Sequence, residues 1–264
     1  MVVLITGISS GFGLESARLL SLRGYTVYGT VRREVERLPG VNYLFADVTD
    51  RQAVQKAVEQ VLAREGRLDA IVCNAGMGVG GPVEYTTPED ARLQMETNFG
   101  GAISLIQAAL RPMRLAHSGR IICVTSIGGL MGLPYQAFYS ASKFALEGFC
   151  EALRLEVKSL GIQVTTVAPG DFSTGFTASR RKVSEEAETS YPAYAAGMRK
   201  IEHDERGGLK PEAVARTIEK ILRSPRPAPR YVVASSEQRL SVLLKRLLPS
   251  RLFSRILGAY YGLR

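Results

Sequence analysis

Seven short runs rich in β-branched and aromatic residues punctuate the chain, at 2–6, 25–31, 41–46, 68–73, 120–125, 162–167 and 231–234, and each reads as a strand. Between them, apolar residues return every three or four positions over 12–23, 51–64, 88–115, 137–160 and 211–223, which predicts helices; residues 33–37 form at most one short helical turn. Runs such as Ala70-Ile71-Val72-Cys73 and Ile121-Ile122-Cys123-Val124 are apolar on both faces, as a parallel sheet covered on both sides requires. Strand and helix alternating in this way predict an α/β fold, a doubly wound parallel seven-stranded sheet (a Rossmann fold) in a single domain. Ligands then belong outside the carboxyl ends of the strands, where strand order reverses.

Two late segments break the rhythm. Residues 175–208 are mixed in charge and interrupted by Gly175, Pro192, Gly197, Gly207 and Gly208, which predicts a mobile helical flap over the site. In 236–264 the apolar residues Leu240, Leu243, Leu244, Leu247 and Leu248, then Leu252, Phe253, Ile256, Leu257 and Tyr260, recur at helical spacing among arginines, with Pro249-Ser250 dividing two short helices. This extension either anchors at a lipid surface or packs over its own domain or a partner.

With 45% apolar residues among 264, the chain can bury a full core, and no window reaches the roughly 18 to 20 uninterrupted apolar residues of a membrane span. A strand begins directly after Met1, leaving no room for a signal peptide. Cys73, Cys123 and Cys150 lie in apolar segments without metal-ligand spacing and read as buried, reduced thiols, so a cytoplasmic location without a metal site is expected. The formal net charge is +9, yet nine basic residues against one acid from 221 onward carry +8 of it. A body carrying +1 has no stripe to track phosphates, which argues against nucleic acid as a partner.

The segment Thr6-Gly7-Ile8-Ser9-Ser10-Gly11-Phe12-Gly13 leaves the first strand and opens a helix. Glycine lets the backbone turn tightly and come close to a pyrophosphate, while the helix terminus offers unpaired N–H groups and its positive dipole end. After the second strand the chain reads Arg32-Arg33, where an acidic residue would bind ribose hydroxyls. A guanidinium pairs with a 2′-phosphate, so NADP(H) is preferred, with NAD(H) as the alternative. Asp47, ending the third strand, is placed either to meet the adenine edge or to close a local turn.

Tyr139 and Lys143, four apart on a predicted helix, share one face, about 6 Å apart along its axis. An ammonium beside a phenol favours the phenolate and brings a group titrating near pH 10, on the order of its free value, toward the working range. Ser126, at the end of the fifth strand, can donate to a substrate carbonyl, and Asn98 can hold a water or a kinked helix backbone.

These residues together resemble the short-chain dehydrogenase/reductase family. The resemblance rests on Thr6-Gly7-x-x-x-Gly11-x-Gly13, Asp47, Asn74-Ala75-Gly76, Asn98, Ser126, Tyr139-x-x-x-Lys143 and Pro169-Gly170 followed by Thr174, which span 1 to about 175 in order. It implies that Tyr139 is the general acid/base, that Lys143 binds the nicotinamide ribose and lowers the tyrosine pKa, that Ser126 orients the carbonyl, and that Asn98 supports a proton-relay water. It places Thr6, Gly7, Ser9, Ser10, Gly11, Phe12, Gly13, Asp47, Val48, Asn74, Ala75, Gly76, Pro169, Gly170, Phe172 and Thr174 at the dinucleotide. Residues 27–32 and the basic extension look most like the hydroxysteroid and retinol dehydrogenase-like branch. Subunit pairing through the helices at 88–115 and 137–160, as homodimer or homotetramer, is also implied.

Met77, Val79, Met131, Leu133, Pro134, Phe172, Phe176, Tyr191, Tyr194 and Met198 are expected to line the substrate side. They predict a lipophilic alcohol or carbonyl substrate, unless they merely pack the flap or a subunit interface. The rival reading is a catalytically silent NADP(H)-binding regulatory or scaffold protein of the same fold, against which stands the presence of all four catalytic residue types.

Overall fold

The computed structural model describes residues 1–184 and 186–263; Glu185 of the predicted flap and Arg264 of the basic extension lie outside the described residues. The first half runs β1 (Val2–Ile5), α1 (Gly11–Leu22), β2 (Thr26–Val31), β3 (Val41–Phe45), α2 (Arg51–Glu65), β4 (Ala70–Cys73), β5 (Val79–Gly80), α3 (Pro88–Met95), α4 (Gly101–Leu115) and β6 (Gly119–Val124). The second half runs α5 (Ala137–Glu156), β7 (Ile162–Pro169), α6 (Phe176–Ser179), β8 (Arg181–Lys182), α7 (Glu186–Ser190), α8 (Tyr194–Arg206), α9 (Glu212–Arg223), β9 (Arg230–Val233), α10 (Ser236–Leu247) and α11 (Ser250–Tyr260). Seven strands form one parallel sheet in the order β3-β2-β1-β4-β6-β7-β9. The order reverses between β1 and β4, where Val3 stands opposite both Val27 and Ala70.

Because side chains alternate along a strand, each face gathers its own core. Leu4, Tyr28, Ile71 and Ile121 point into a layer with α2, α4 and α5, together with Cys73, Cys123 and Cys150, all three buried and free. Val3, Ile5, Val27, Val72 and Ile122 face the other way onto α1 and α9. Local signals fix the helix ends. Asp50 caps α2 by accepting from the backbone N–H groups of Gln52 and Ala53, and Gly66 ends it at φ +69°, a conformation that suits glycine.

The helix expected over 88–115 is a helical stretch interrupted by one π-helical turn, Glu96–Gly100, that offsets α4 from α3. A two-stranded ribbon, β5 with β8, was not anticipated; it ties the flap to the loop after β4. The flap is helical, as expected. Its residues Tyr194, Met198 and Ile201 bury with Ala187 into a small core of their own, against Tyr85, Tyr135 and Tyr191.

Candidate functional site

All the loops that leave the carboxyl ends of β1, β2, β3, β4, β6 and β7 open into one cavity of about 560 Å³. Gly7, Ser9, Ser10, Gly11, Phe12, Arg32, Arg33, Asp47, Val48, Asn74, Ala75, Gly76, Ser126, Tyr139, Lys143, Pro169, Gly170, Phe172 and Thr174 line it. Thr6, Gly13 and Asn98 stand behind this lining and support it.

The glycine-rich turn is held from below. Asn74 donates from Nδ2 to the carbonyls of Thr6 (2.9 Å) and Gly7 (3.1 Å), and the Thr6 hydroxyl accepts from the N–H groups of Asn74 and Ala75. A Cβ on Gly13 would lie 2.3 Å from the Gly7 carbonyl oxygen and 2.5 Å from Asn74 Nδ2, so only glycine lets α1 begin this close to the turn. Ser10 caps α1 with no side-chain hydrogen bond, leaving the first-turn N–H groups free to meet an anion. The cradle therefore fits a pyrophosphate. Arg32 and Arg33 are exposed at the cavity rim, and Arg32 stands 4.0 Å from Asp47. Asp47 also accepts from the backbone N–H (2.9 Å) and hydroxyl (2.8 Å) of Thr49, so one of its oxygens closes a local turn while the residue lines the cavity.

On α5, Tyr139 and Lys143 lie on one face, with Lys143 Nζ 5.9 Å from the centre of the Tyr139 ring. Burial pushes the Tyr139 phenol up to about 12, against the downward pull of the nearby Ser126 hydroxyl; the charges of Glu205 and Asp171 add to the rise. Burial also draws Lys143 down to about 8, while Nζ donates to the Val124 carbonyl at 3.0 Å. Burial thus acts on the phenol in the direction opposite to the one expected of Lys143. Ser126 accepts from the Gly128 N–H at 2.9 Å, the capping contact its two following glycines allow, and its hydroxyl still faces the cavity.

Asn98 sits in the π-helical turn, and its side chain braces the loop after β4. Oδ1 accepts from the Met77 N–H (2.8 Å), and Nδ2 donates to the Met77 carbonyl and the Ser142 hydroxyl (both 3.0 Å). Asn98 lies in an irregular helical turn, as a kinked helix would place it, but its side-chain bonds run to the loop after β4 and to Ser142, not to a helix backbone.

Of the expected substrate-side residues, Met77, Met131, Leu133, Phe172 and Phe176 line the cavity. Val79, Pro134, Tyr191, Tyr194 and Met198 do not; Val79 is consumed by the β5–β8 ribbon, and Tyr191, Tyr194 and Met198 by the interior of the flap. Their place is taken by the C-terminal extension. Phe253 is buried with Ile127, Met131 and Ala234, flanked by Leu244, Leu248 and Leu257, so α10 and α11 pack over their own domain and close one wall. Gln238 of α10 reaches the loop after β7: Oε1 accepts from the Asp171 N–H at 3.2 Å, and Nε2 donates to Asp171 Oδ2 at 2.6 Å. Sequence reasoning missed Asp171 and Gln238. Their only prior trace was a polar residue at the third position of a helix whose N-cap is Ser235, a capping-box spacing.

The family model for short chain dehydrogenases matches residues 1–185. A 3-ketodihydrosphingosine reductase of Bacteroides thetaiotaomicron is 44% identical, covering 100% of this chain and 98% of the relative. The human 17-beta-hydroxysteroid dehydrogenase type 1 is 35% identical, covering 93% of this chain and 80% of its own length. Among solved structures, a short-chain dehydrogenase from Streptomyces avermitilis superposes with a TM-score of 0.82 at 30% identity, over 98% of this chain and 96% of the other.

Proposed function

Because the chain belongs to the short-chain dehydrogenase family, an oxidoreductase family acting on alcohols and carbonyls with a nicotinamide dinucleotide, we propose that it uses NADPH to reduce the ketone of a lipid-like substrate. The observation that carries this reading is the convergence of Tyr139, Ser126 and Lys143 on the cavity that the glycine-rich turn opens. Ser126 donates to the carbonyl oxygen and fixes its position beside Tyr139. A phenol that keeps its proton up to about 12 stands ready to deliver it to that oxygen as negative charge develops there. When bound, the reduced nicotinamide supplies the hydride to the carbonyl carbon. Lys143, charged below about 8, is placed to hold the ribose beside Tyr139. Arg32, exposed beside the end of β2, favours a cofactor bearing a 2′-phosphate over one with a bare hydroxyl.

Two observations support a lipophilic substrate. Met131, Leu133, Leu244 and Phe253 give the cavity an apolar wall, and the Bacteroides and human relatives carry names that specify lipid ketones or alcohols. The buried free thiols favour a reducing, cytoplasmic setting. Turnover followed at the NADPH absorbance band over a panel of long-chain and steroid ketones tests the reading, with Tyr139→Phe as control. Wild type should reduce at least one of them, and Tyr139→Phe should lose a factor on the order of 10² to 10⁴ while still binding NADPH. Equal inertness of both proteins across the panel, with cofactor bound, sinks the proposal.

A further inference from the structure

The apolar surface that the fold leaves uncovered is gathered on two consecutive helices. Among the described residues, six of the fourteen large apolar side chains that stay exposed lie between Leu240 and Tyr260, on α10 and α11; the other eight are scattered from Met1 to Leu209. At roughly 100° per residue, Leu240, Leu243 and Leu247 share one stripe of α10, about a quarter-turn around the helix from Ser241 and Leu244, which line the cavity. On α11, Leu252 and Ile256 stand one turn apart on a stripe of their own. Isolated exposed leucines need no partner, whereas a strip of them marks a contact surface.

Charge decides which partner fits. Between Ser236 and Leu263 stand five basic residues and one acid, Glu237. Lys245 is drawn over the Phe253 ring, at 5.2 Å from its centre. Arg239, Arg246, Arg251 and Arg255 stay exposed, and none has a carboxylate within 4.0 Å among the described residues. Arg239 and Arg246, seven apart, fall on one stripe of α10 beside its leucines; Arg251 and Arg255, four apart, do the same on α11. Leucine flanked by unpaired arginine on both helices suits a boundary where apolar side chains enter the acyl layer and guanidinium groups reach the phosphates above it. A second copy of the chain fits worse, because an isologous contact would set this surface against itself, arginine against arginine. No helix among the described residues is long and apolar enough to cross a bilayer, so such a contact lies on the surface.

We propose that the outer face of α10 and α11 docks on an anionic lipid surface, with Leu240, Leu243, Leu247 and Leu252 at the acyl boundary and the four arginines at the headgroups. The cavity opens along the same face: Ile256 and Tyr260 line it and are 45% and 51% exposed. Docked in this way, the mouth meets the bilayer, and a lipophilic ligand passes from one to the other without crossing water. The docking rests on the surface alone; the route for the ligand rests also on the reading of the substrate as lipophilic.

Sedimentation of the full chain with vesicles tests the docking, using phosphatidylcholine alone and phosphatidylcholine with about 30% phosphatidylserine. At about 0.1 M salt the wild type should partition at least about tenfold more strongly onto the anionic vesicles, and it should lose most of that excess at about 0.5 M, where the headgroup field is screened. Arg246→Gln with Arg251→Gln and Arg255→Gln should bring binding on the anionic vesicles down to the neutral level. Leu243→Gln with Leu247→Gln should weaken it at least about tenfold. These side chains are exposed and none lines the cavity, so both variants should keep the wild-type melting temperature, which separates lost docking from lost folding. Equal binding to neutral and anionic vesicles, or binding that neither variant weakens, overturns the proposal. So does a wild type that binds neither vesicle, and a smaller mass of the leucine variant in gel filtration would then show that a second copy covers the face. None of these readouts involves turnover, so the reductase reading stands or falls separately.

Discussion

Burial sets the chemistry of individual side chains here more than neighbouring charge does. Because Lys143 is drawn down to about 8, its ammonium form is lost as pH rises through that value. The kcat/KM for ketone reduction should therefore fall along an alkaline limb near pH 8, well before Tyr139 titrates near 12. A pH–rate profile with no limb below pH 10 would remove Lys143 from the reaction. Asp171 gives a second prediction at this scale. Burial, with Glu205 and Asp204 beside it, pushes its carboxyl up to about 6. A raised carboxyl makes the folded state hold a proton that the unfolded chain has released, so its favourable contribution is present below about 4 and lost as pH rises through about 6. Asp171→Asn, which keeps an acceptor for Gln238, should be more stable than wild type at pH 7.5 by about 1–2 kcal/mol, a gain of a few degrees in Tm that disappears near pH 4. Equal melting curves at both pH values would show that the carboxylate is not strained by its surroundings. Tyr139, Lys143 and Ser126 were legible in the sequence because each stands at a fixed spacing on a strand or helix end. Asp171 was not, because its significance lies in Gln238, Glu205 and Asp204, which come to it from α8 and α10 across the fold.

Strand and helix positions followed from apolar periodicity to within about two residues, save that α5 ends at Glu156 where the spacing carried it to 160, since a parallel sheet covered on both faces leaves its strands apolar throughout. Even the break at Pro249-Ser250 fell where α10 gives way to α11. What periodicity could not show was the π-helical turn at Glu96–Gly100: one extra residue in a turn leaves the apolar spacing on either side intact. Its trace is chemical, in Asn98, whose side chain satisfies both backbone groups of Met77 and joins Ser142. Asn98→Ala would leave the Met77 N–H without its partner, while Gln94 still donates to the Met77 carbonyl and the Ser142 hydroxyl to the Tyr139 carbonyl, and should cost about 1–2 kcal/mol, read as a lower urea midpoint with an unchanged slope. Since Met77 lines the cavity beside Gly76, turnover should fall further than stability explains. A variant with wild-type midpoint and wild-type turnover would mean that the irregular turn needs no brace. The β5–β8 ribbon was likewise invisible, because two-residue strands carry no period.

At the scale of the molecule, the concentration of basic charge in the C-terminal extension sets that segment apart from a body that is nearly neutral. Charge alone left two roles open for it, a surface anchor or a covering of its own domain. The inner face of the extension is a covering, where Phe253 is buried against Ile127 and Met131, Leu244 and Leu257 line the cavity, and Gln238 fixes the loop that carries Asp171, while Leu240, Leu243, Leu247 and Leu252 stay exposed. The arginines Arg239, Arg246, Arg251 and Arg255 stay exposed, so the basic charge serves the outer face and not the site. The glycine-rich turn, by contrast, joins β1 to α1 at the other end of the chain and is held by Asn74 and Thr6. Removing residues 236–264 should therefore separate the two halves of the site. NADPH affinity should change by only a few-fold, whereas kcat/KM for a lipophilic ketone should fall at least about tenfold, since each apolar side chain withdrawn from the wall forfeits on the order of 1 kcal/mol of contact. Phe253→Ala tests the same point without shortening the chain. It should cost about 3 kcal/mol of stability and raise KM for the lipophilic ketone more than it lowers kcat. If the shortened protein kept both its melting temperature and its preference for lipophilic ketones, the extension would lie over the site without forming it, and the apolar wall would have to be sought on α5 and the flap.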